Sequence, residues 1–164
     1  GEEMGLVNYV FESPDEPTDV EAKGLVAELR EKGQSEEEIL KTINAGTREH
    51  TRILLPWNTY PEDMREGLRQ QINEEITECY KSLIALRKSD KALVYGDFEV
   101  INDKKDRFVY SRTLNGTTYV IDCNLGKNMV DAYIPSPEYK AVFLSKNEIS
   151  HKLSPYEARV WVKK

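Results

Sequence analysis

The chain has 164 residues, 32% charged and 39% hydrophobic, a balance that supports one ordinary domain, or two small ones, with a buried core. A formal net charge of −6 argues against nucleic acid as a main partner, because no basic excess is available to neutralise phosphates. No apolar run approaches the roughly 20 residues that span a bilayer, and no basic start leads into the short apolar segment of a secretory signal. A cytoplasmic protein with no membrane partner is expected.

Residues 1–17 mix acidic and apolar side chains without an initiating methionine, which suggests a piece of a longer polypeptide. Pro14 and Pro17 mark this stretch as irregular. The spacing Thr18-x-x-Glu21 predicts a capping box at the start of a helix. Ala22, Leu25, Val26 and Leu29 then recur at three and four, which gives one apolar stripe, and Gly33 is placed to end the helix. Ser35-x-x-Glu38 predicts a second capped helix with Ile39, Leu40 and Ile43 on its apolar side, stopped by Gly46. The acids Glu36 to Glu38 suit a solvated first turn.

The next stretch, Thr47 to Asn58, reads TREHTRILLPWN. It sets Arg48, His50 and Arg52 in five residues ahead of an apolar run. Pro56 bars a helix interior and biases Leu55 toward extended backbone, so these side chains sit on an irregular segment. Guanidinium groups in such a place can present planar donors to a carboxylate, a phosphate or a sugar hydroxyl. Equally, they can be solvated or paired with a nearby acid such as Glu49. Both readings stand at this level.

Pro61 suits the first position of a short helix. Gln71 to Lys88 carries the strongest helical signal, with Ile72, Ile76, Cys79, Tyr80, Leu83 and Leu86 on one face and Ile84 broadening it. Beyond Leu93 the period changes. Segments 97–101, 107–113, 117–123, 129–134, 139–144 and 158–162 read as strands, and Asn115-Gly116 marks a two-residue hairpin turn. Short strands at this spacing imply an antiparallel sandwich. The expected fold is therefore α+β, with a helical region over 1–90 and an all-β domain over 91–164.

The chain contains no Gly-x-Ser-x-Gly, His-Glu-x-x-His, phosphate-cradling Gly loop or Cys-x-x-Cys. Cys79 and Cys123 have no metal spacing and read as reduced, non-catalytic thiols. His50 and His151 are too far apart in sequence to suggest a metal pair. No cofactor is implied. Glu2 and Glu3 form an acid pair beside glycine, as readily a turn feature as a functional one. Three aromatic pairs are candidates for sugar stacking, Tyr9 with Phe11, Trp57 with Tyr60 and Tyr156 with Trp161, although strand aromatics are more often core.

Several segments together resemble the C-terminal part of α-glucosidases of glycoside hydrolase family 13. GEEMG with Asn8 is similar to the family's QGEEIGMTN. GQSEEEILKTI resembles the helical insertion that follows. TREHTRILLPWN sits where the family has SRDHARTPMQWD. LIALRKSDKALVYGDFEVI is similar to the last barrel helix and the entry to the β-domain, and SPYEARVWVKK to the closing strand. The group of oligo-1,6-glucosidase, dextran glucosidase and trehalose-6-phosphate hydrolase is the nearest. The resemblance implies a retaining exo-acting α-glucosidase on a (β/α)₈ barrel, of which residues 1–90 are a helical remnant lacking the strands. The catalytic acids would lie upstream, leaving no catalytic residue in this chain. It also implies that Arg48 reaches the glucose of the −1 subsite, that Arg52 lines the same region, and that His50 lies between them. Glu49 replaces the family's Asp, and ILLPW replaces TPMQW. Glu2 and Glu3 match the QGEE pair in a structural or pocket-rim role. The alternatives are a stand-alone carbohydrate-binding module and an assembly element. The implied partners are the barrel, an α-glucosidic oligosaccharide and, for the isolated chain, further copies of itself through the helical stripes.

Overall fold

The computed structural model describes residues 1–52, 54–56, 72–146 and 148–164. The chain forms two compact units, Gly1–Thr77 and Glu78–Lys164. The predicted positions Trp57, Tyr60, Pro61 and Gln71 lie outside the described residues.

In the first unit a 3₁₀ turn, Glu2–Met4, precedes α1 (Val20–Glu31) and α2 (Glu36–Gly46), and a second 3₁₀ turn covers Arg48–Thr51. Ala22, Val26 and Leu29 of α1 bury against Ile39 and Ile43 of α2 and against Phe11. Asn44 holds the irregular Phe11 segment to α2 by accepting from the Phe11 amide at 2.8 Å and donating to its carbonyl at 3.0 Å. The capping box at Ser35 and Glu38 forms as predicted, with both reciprocal bonds present. Gly33 adopts φ +77°. The amides of Gly33 and Gln34 return to the carbonyls of Arg30 and Leu29, the Schellman ending that favours glycine. The start of α1 differs from expectation. Asp19, not Thr18, caps it by accepting from the Glu21 amide at 2.9 Å. The Thr18 hydroxyl is turned toward Glu49 instead, to which it donates at 2.7 Å.

Helix α3 (Glu74–Ser89) begins three residues later than predicted. Asn73 precedes it and accepts from the Ile76 amide at 3.2 Å, as a polar cap does. The Asn73 amide bonds the Met4 carbonyl, and the Thr77 hydroxyl bonds that of Glu3, which ties this end of α3 to the first 3₁₀ turn. No residue of α3 is buried. Leu83 is 38% and Ile84 50% exposed, although these side chains belong to the clearest apolar stripe in the sequence.

The second unit opens inside α3, at Glu78, ahead of the 90/91 division read from the sequence. It continues through the short helix α4 (Ala92–Tyr95) into β1 (Asp97–Asn102), β2 (Arg107–Leu114), β3 (Thr117–Asn124), β4 (Val130–Asp131), β5 (Lys140–Leu144), β6 (Lys152–Leu153) and β7 (Ala158–Lys163). Strands β1-β2-β3-β7-β5 form one antiparallel sheet, and β4 pairs with β6 in a separate two-stranded ladder. Asn115 and Gly116 take φ +50° and +84°, the paired positive φ of a type I′ hairpin. The antiparallel β-domain is as expected, but the 129–134 strand shrinks to two residues. Pro135 and Pro137 follow it, and a proline cannot donate to a ladder. The strand at 152–153 carried no readable period.

One face of the large sheet buries Tyr119, Ile121, Val160 and Val162 with Ala92 and Leu93, and Leu86 of α3 packs against them. The other face buries Val109, Val120 and Trp161, with Tyr133 and Tyr139 against them. Among the ion pairs of this unit, two involve fully buried groups. Arg159, 0% exposed, meets Glu157 and also donates to the carbonyls of Ser150 and Lys152. Asp122, also 0% exposed, meets Arg107 and accepts from the Tyr133 amide at 2.6 Å. Burial raises the Asp122 carboxyl above its usual range, against the opposing pull of the Tyr133 amide and Arg107.

Gly96 joins α4 to β1. A Cβ there would lie 2.5 Å from the Ala92 carbonyl oxygen and 2.9 Å from backbone atoms of Thr113. Gly96→Ala is expected to lower the urea midpoint by about 1–3 kcal/mol of stability, the usual cost of overpacking. An unchanged midpoint would show that the α4–β2 approach is looser than described.

Candidate functional site

The arginine-bearing segment is built from the buried carboxylate of Asp19. Thr47 ends α2 in extended backbone and caps the next 3₁₀ turn, so the chain reverses there and brings residues 48–52 beside the start of α1. The Asp19 side chain is 4% exposed. It accepts from Arg48 Nε and Nη2, both at 3.0 Å, and from Arg52 Nη1. Arg48 Nε also lies 3.1 Å from Glu21. Both arginine side chains remain about half exposed, at 53% and 51%. Asp19 therefore gathers two guanidinium groups onto one anion, and N–H donors remain for an acceptor outside.

Glu49 holds that anion in place. Its carboxylate accepts from the Thr18 amide and hydroxyl, both at 2.7 Å, and from the Asp19 amide at 3.0 Å. The local pairing expected between the arginines and Glu49 is thus replaced. Glu49 is committed to residues 18 and 19, and Asp19, some thirty positions upstream, takes the cations. Sequence reasoning missed Asp19 because the Thr18-x-x-Glu21 spacing drew the cap to Thr18. The available signal was an acid at a helix N-cap, where buried carboxylates find backbone donors.

His50 is 7% exposed. Its Nε2 lies 3.2 Å from the Asn44 carbonyl oxygen, and its ring is 5.5 Å from that of Phe11. It sits inward of the arginines, partly in the helical core, and also lines a pocket of about 180 Å³ with Glu2, Asn8, Thr51 and Leu55. Glu2 thus stands at a pocket rim. The stacking candidates fare differently. Tyr9 and Phe11 meet edge to face at 4.8 Å, and Phe11 is buried. Trp161 is buried in the sheet while Tyr156 is 63% exposed, so those two offer no joint platform.

Cys79 and Cys123 are free. Burial, with the Asp122 charge beside it, pushes the Cys123 thiol up to about 11, which keeps it protonated at neutral pH. Among the described residues no three His, Cys, Asp or Glu side chains converge as a metal site, and no helix is long and apolar enough to cross a membrane.

No family model matches the chain. The oligo-1,6-glucosidase of Halalkalibacterium halodurans is 28% identical over 192 residues, covering 100% of this chain and 34% of that protein. The trehalose-6-phosphate hydrolase of Escherichia coli is 27% identical, again over 100% of this chain and 34% of its own length. The crystal structure of Bacillus licheniformis trehalose-6-phosphate hydrolase superposes with a TM-score of 0.80 at 22% identity, over 100% of this chain and 35% of that one. The chain corresponds to a C-terminal part of glycoside hydrolase family 13 enzymes. It spans about a third of the length of the relatives it matches.

Within this family-13 segment, Asp19→Ala removes a helix cap and leaves two guanidinium groups without their anion. It is expected to cost about 2 kcal/mol, read from the shift in urea midpoint, since a cap contributes about 1 and the half-exposed ion pairs add a similar amount. A shift below about 0.5 kcal/mol would mean that the carboxylate does not organise the segment.

Proposed function

We propose that this chain is the substrate-holding and supporting part of a retaining α-glucosidase that hydrolyses α-linked gluco-oligosaccharides. The observation that carries the reading is the paired, half-exposed Arg48 and Arg52 anchored on Asp19. The match to curated α-glucosidases over their C-terminal third gives that pair its context. In this reading Arg48 and Arg52 donate to sugar hydroxyls, and His50 fixes the turn that carries them. Arginine suits the task because its planar fork keeps two directions of donation after one is spent on Asp19.

A retaining hydrolase needs two carboxylates about 5 Å apart across the scissile bond. Asp19 and Glu49 do not fill that role, since both are buried and committed to arginines and backbone amides. The acid and the nucleophile are assigned to the rest of the parent enzyme, and the isolated chain is assigned no turnover. Helix α3, with no buried residue and with Leu83 and Ile84 exposed, supports the same division, because an apolar stripe of this kind is normally covered. The remainder of the barrel would cover it in the parent, and a second copy in the isolated chain. The two free thiols favour a reducing, cytoplasmic setting.

In the parent enzyme, Arg48→Ala is expected to lower kcat/KM for isomaltose by about 10- to 100-fold, the range of one to two charge-assisted hydrogen bonds. Arg48→Lys should recover only part of the loss. An unchanged kcat/KM in Arg48→Ala would remove Arg48 from the substrate site. For the isolated chain, light scattering is expected to show dimers or larger species, and Ile84→Ser should shift them toward monomer. A wild-type chain that stays monomeric at high concentration would contradict an exposed docking stripe on α3.

A further inference from the structure

The second unit contains a pocket of about 320 Å³ between α3 and the helix-facing side of the large sheet. Its walls are apolar: Leu83 and Leu86 from α3, Leu93, and Ile121, Phe143 and Val160 from the sheet. Arg87 and Arg112 also line it, with the phenol of Tyr110. Each guanidinium spends a donor on a backbone carbonyl. Arg87 Nη1 bonds Leu93 at 2.9 Å, and Arg112 Nη2 bonds Val94 at 2.8 Å. Among the described residues neither meets a carboxylate, whereas Arg107 and Arg159 of the same unit do. The Arg112 Nε is enclosed and has no acceptor. Arg87 reaches water, whereas the half-buried Arg112 leaves one enclosed donor unused; that is an incomplete arrangement, because buried polar groups are normally paired.

The group that completes it must combine apolar surface with one negative charge. We propose that the pocket is a docking socket for an aliphatic or aromatic side chain flanked by a carboxylate, presented by the polypeptide that covers α3 in the parent enzyme. This rests on the proposed division of that enzyme. It adds the chemistry of the contact: apolar atoms against Leu86, Phe143 and Val160, and a carboxylate between the guanidinium groups of Arg112 and Arg87 that line the pocket. Three features favour a polypeptide occupant. The chain matches only about a third of its relatives' length, no residue of α3 is buried, and the pocket lies at the small end of the roughly 300–1,000 Å³ range of ligand sites.

The test uses the chain itself, with decanoate as probe and decyltrimethylammonium and decanol as controls, followed by amide chemical shifts. Decanoate is expected to bind saturably in the millimolar range at residues lining the pocket, decyltrimethylammonium not at all, and decanol more weakly. Arg112→Met should weaken decanoate binding by about tenfold or more, and Arg112→Lys by less, as a charge-assisted contact requires. Should Arg112→Met unfold the unit by releasing Val94, Arg87→Met carries the same comparison. Absence of saturable decanoate binding, or equal binding of all three probes, would overturn the socket. Micromolar affinity would overturn the polypeptide occupant in favour of a free amphiphilic acid. A loss of the sugar role of Arg48 in the parent enzyme would leave the decanoate result standing, so the two readings fail separately.

Discussion

One buried carboxylate organises the first unit. Asp19 caps α1, and the same oxygens draw in Arg48 and Arg52 from the far end of α2. A carboxylate this enclosed is stable only when its lone pairs are satisfied by strong donors. The position of α1 and the position of the arginine segment are therefore one constraint. Glu49 tightens it by binding the backbone at residues 18 and 19. Four charged groups thus fix a turn whose cationic side chains, Arg48 and Arg52, stay half exposed.

The second unit uses buried charge for a similar end. Arg159 and Glu157 of the closing motif hold residues 150–154 to β7, and Asp122, the cross-strand partner of Arg159, holds Tyr133 over the same face of the sheet. Such pairs contribute little net stability compared with an apolar core of equal volume, but breaking one costs about 3–5 kcal/mol. Their effect is to specify which loop lies on which strand. That matters where β4 and β6 are only two residues each and cannot fix their own register.

The parts of this fold that were legible in the sequence rest on local physics. The capping box at Ser35, the glycine ending at Gly33, the Asn115-Gly116 hairpin and five of the strands depend on neighbours in the chain. The parts that were not legible depend on partners far away in sequence. Thr18 turns its hydroxyl to Glu49, thirty-one positions on, and Asp19 caps the helix instead. Arg159 and Asp122, on which the sequence offered no reading, are buried, each with a charged partner. Arg48, His50 and Arg52 were found by their unusual density and by family resemblance, but their different settings were not. Two are half exposed around one anion, and the third packs beside Phe11.

The chemistry divides in the same way. The described carboxylates nearest the arginines are spent on structure, and the second unit supplies a sheet, an unburied helix and a pocket lined by two cations without a carboxylate. On the proposed reading this is equipment for holding and docking, with bond cleavage assigned to groups elsewhere in the parent enzyme. Incubation of the purified chain, free of host glucosidase, with an aryl α-glucoside puts that division to the question most directly. Release of the aryl alcohol at the uncatalysed rate is the expected result. Sustained turnover that co-purifies with the chain would contradict it.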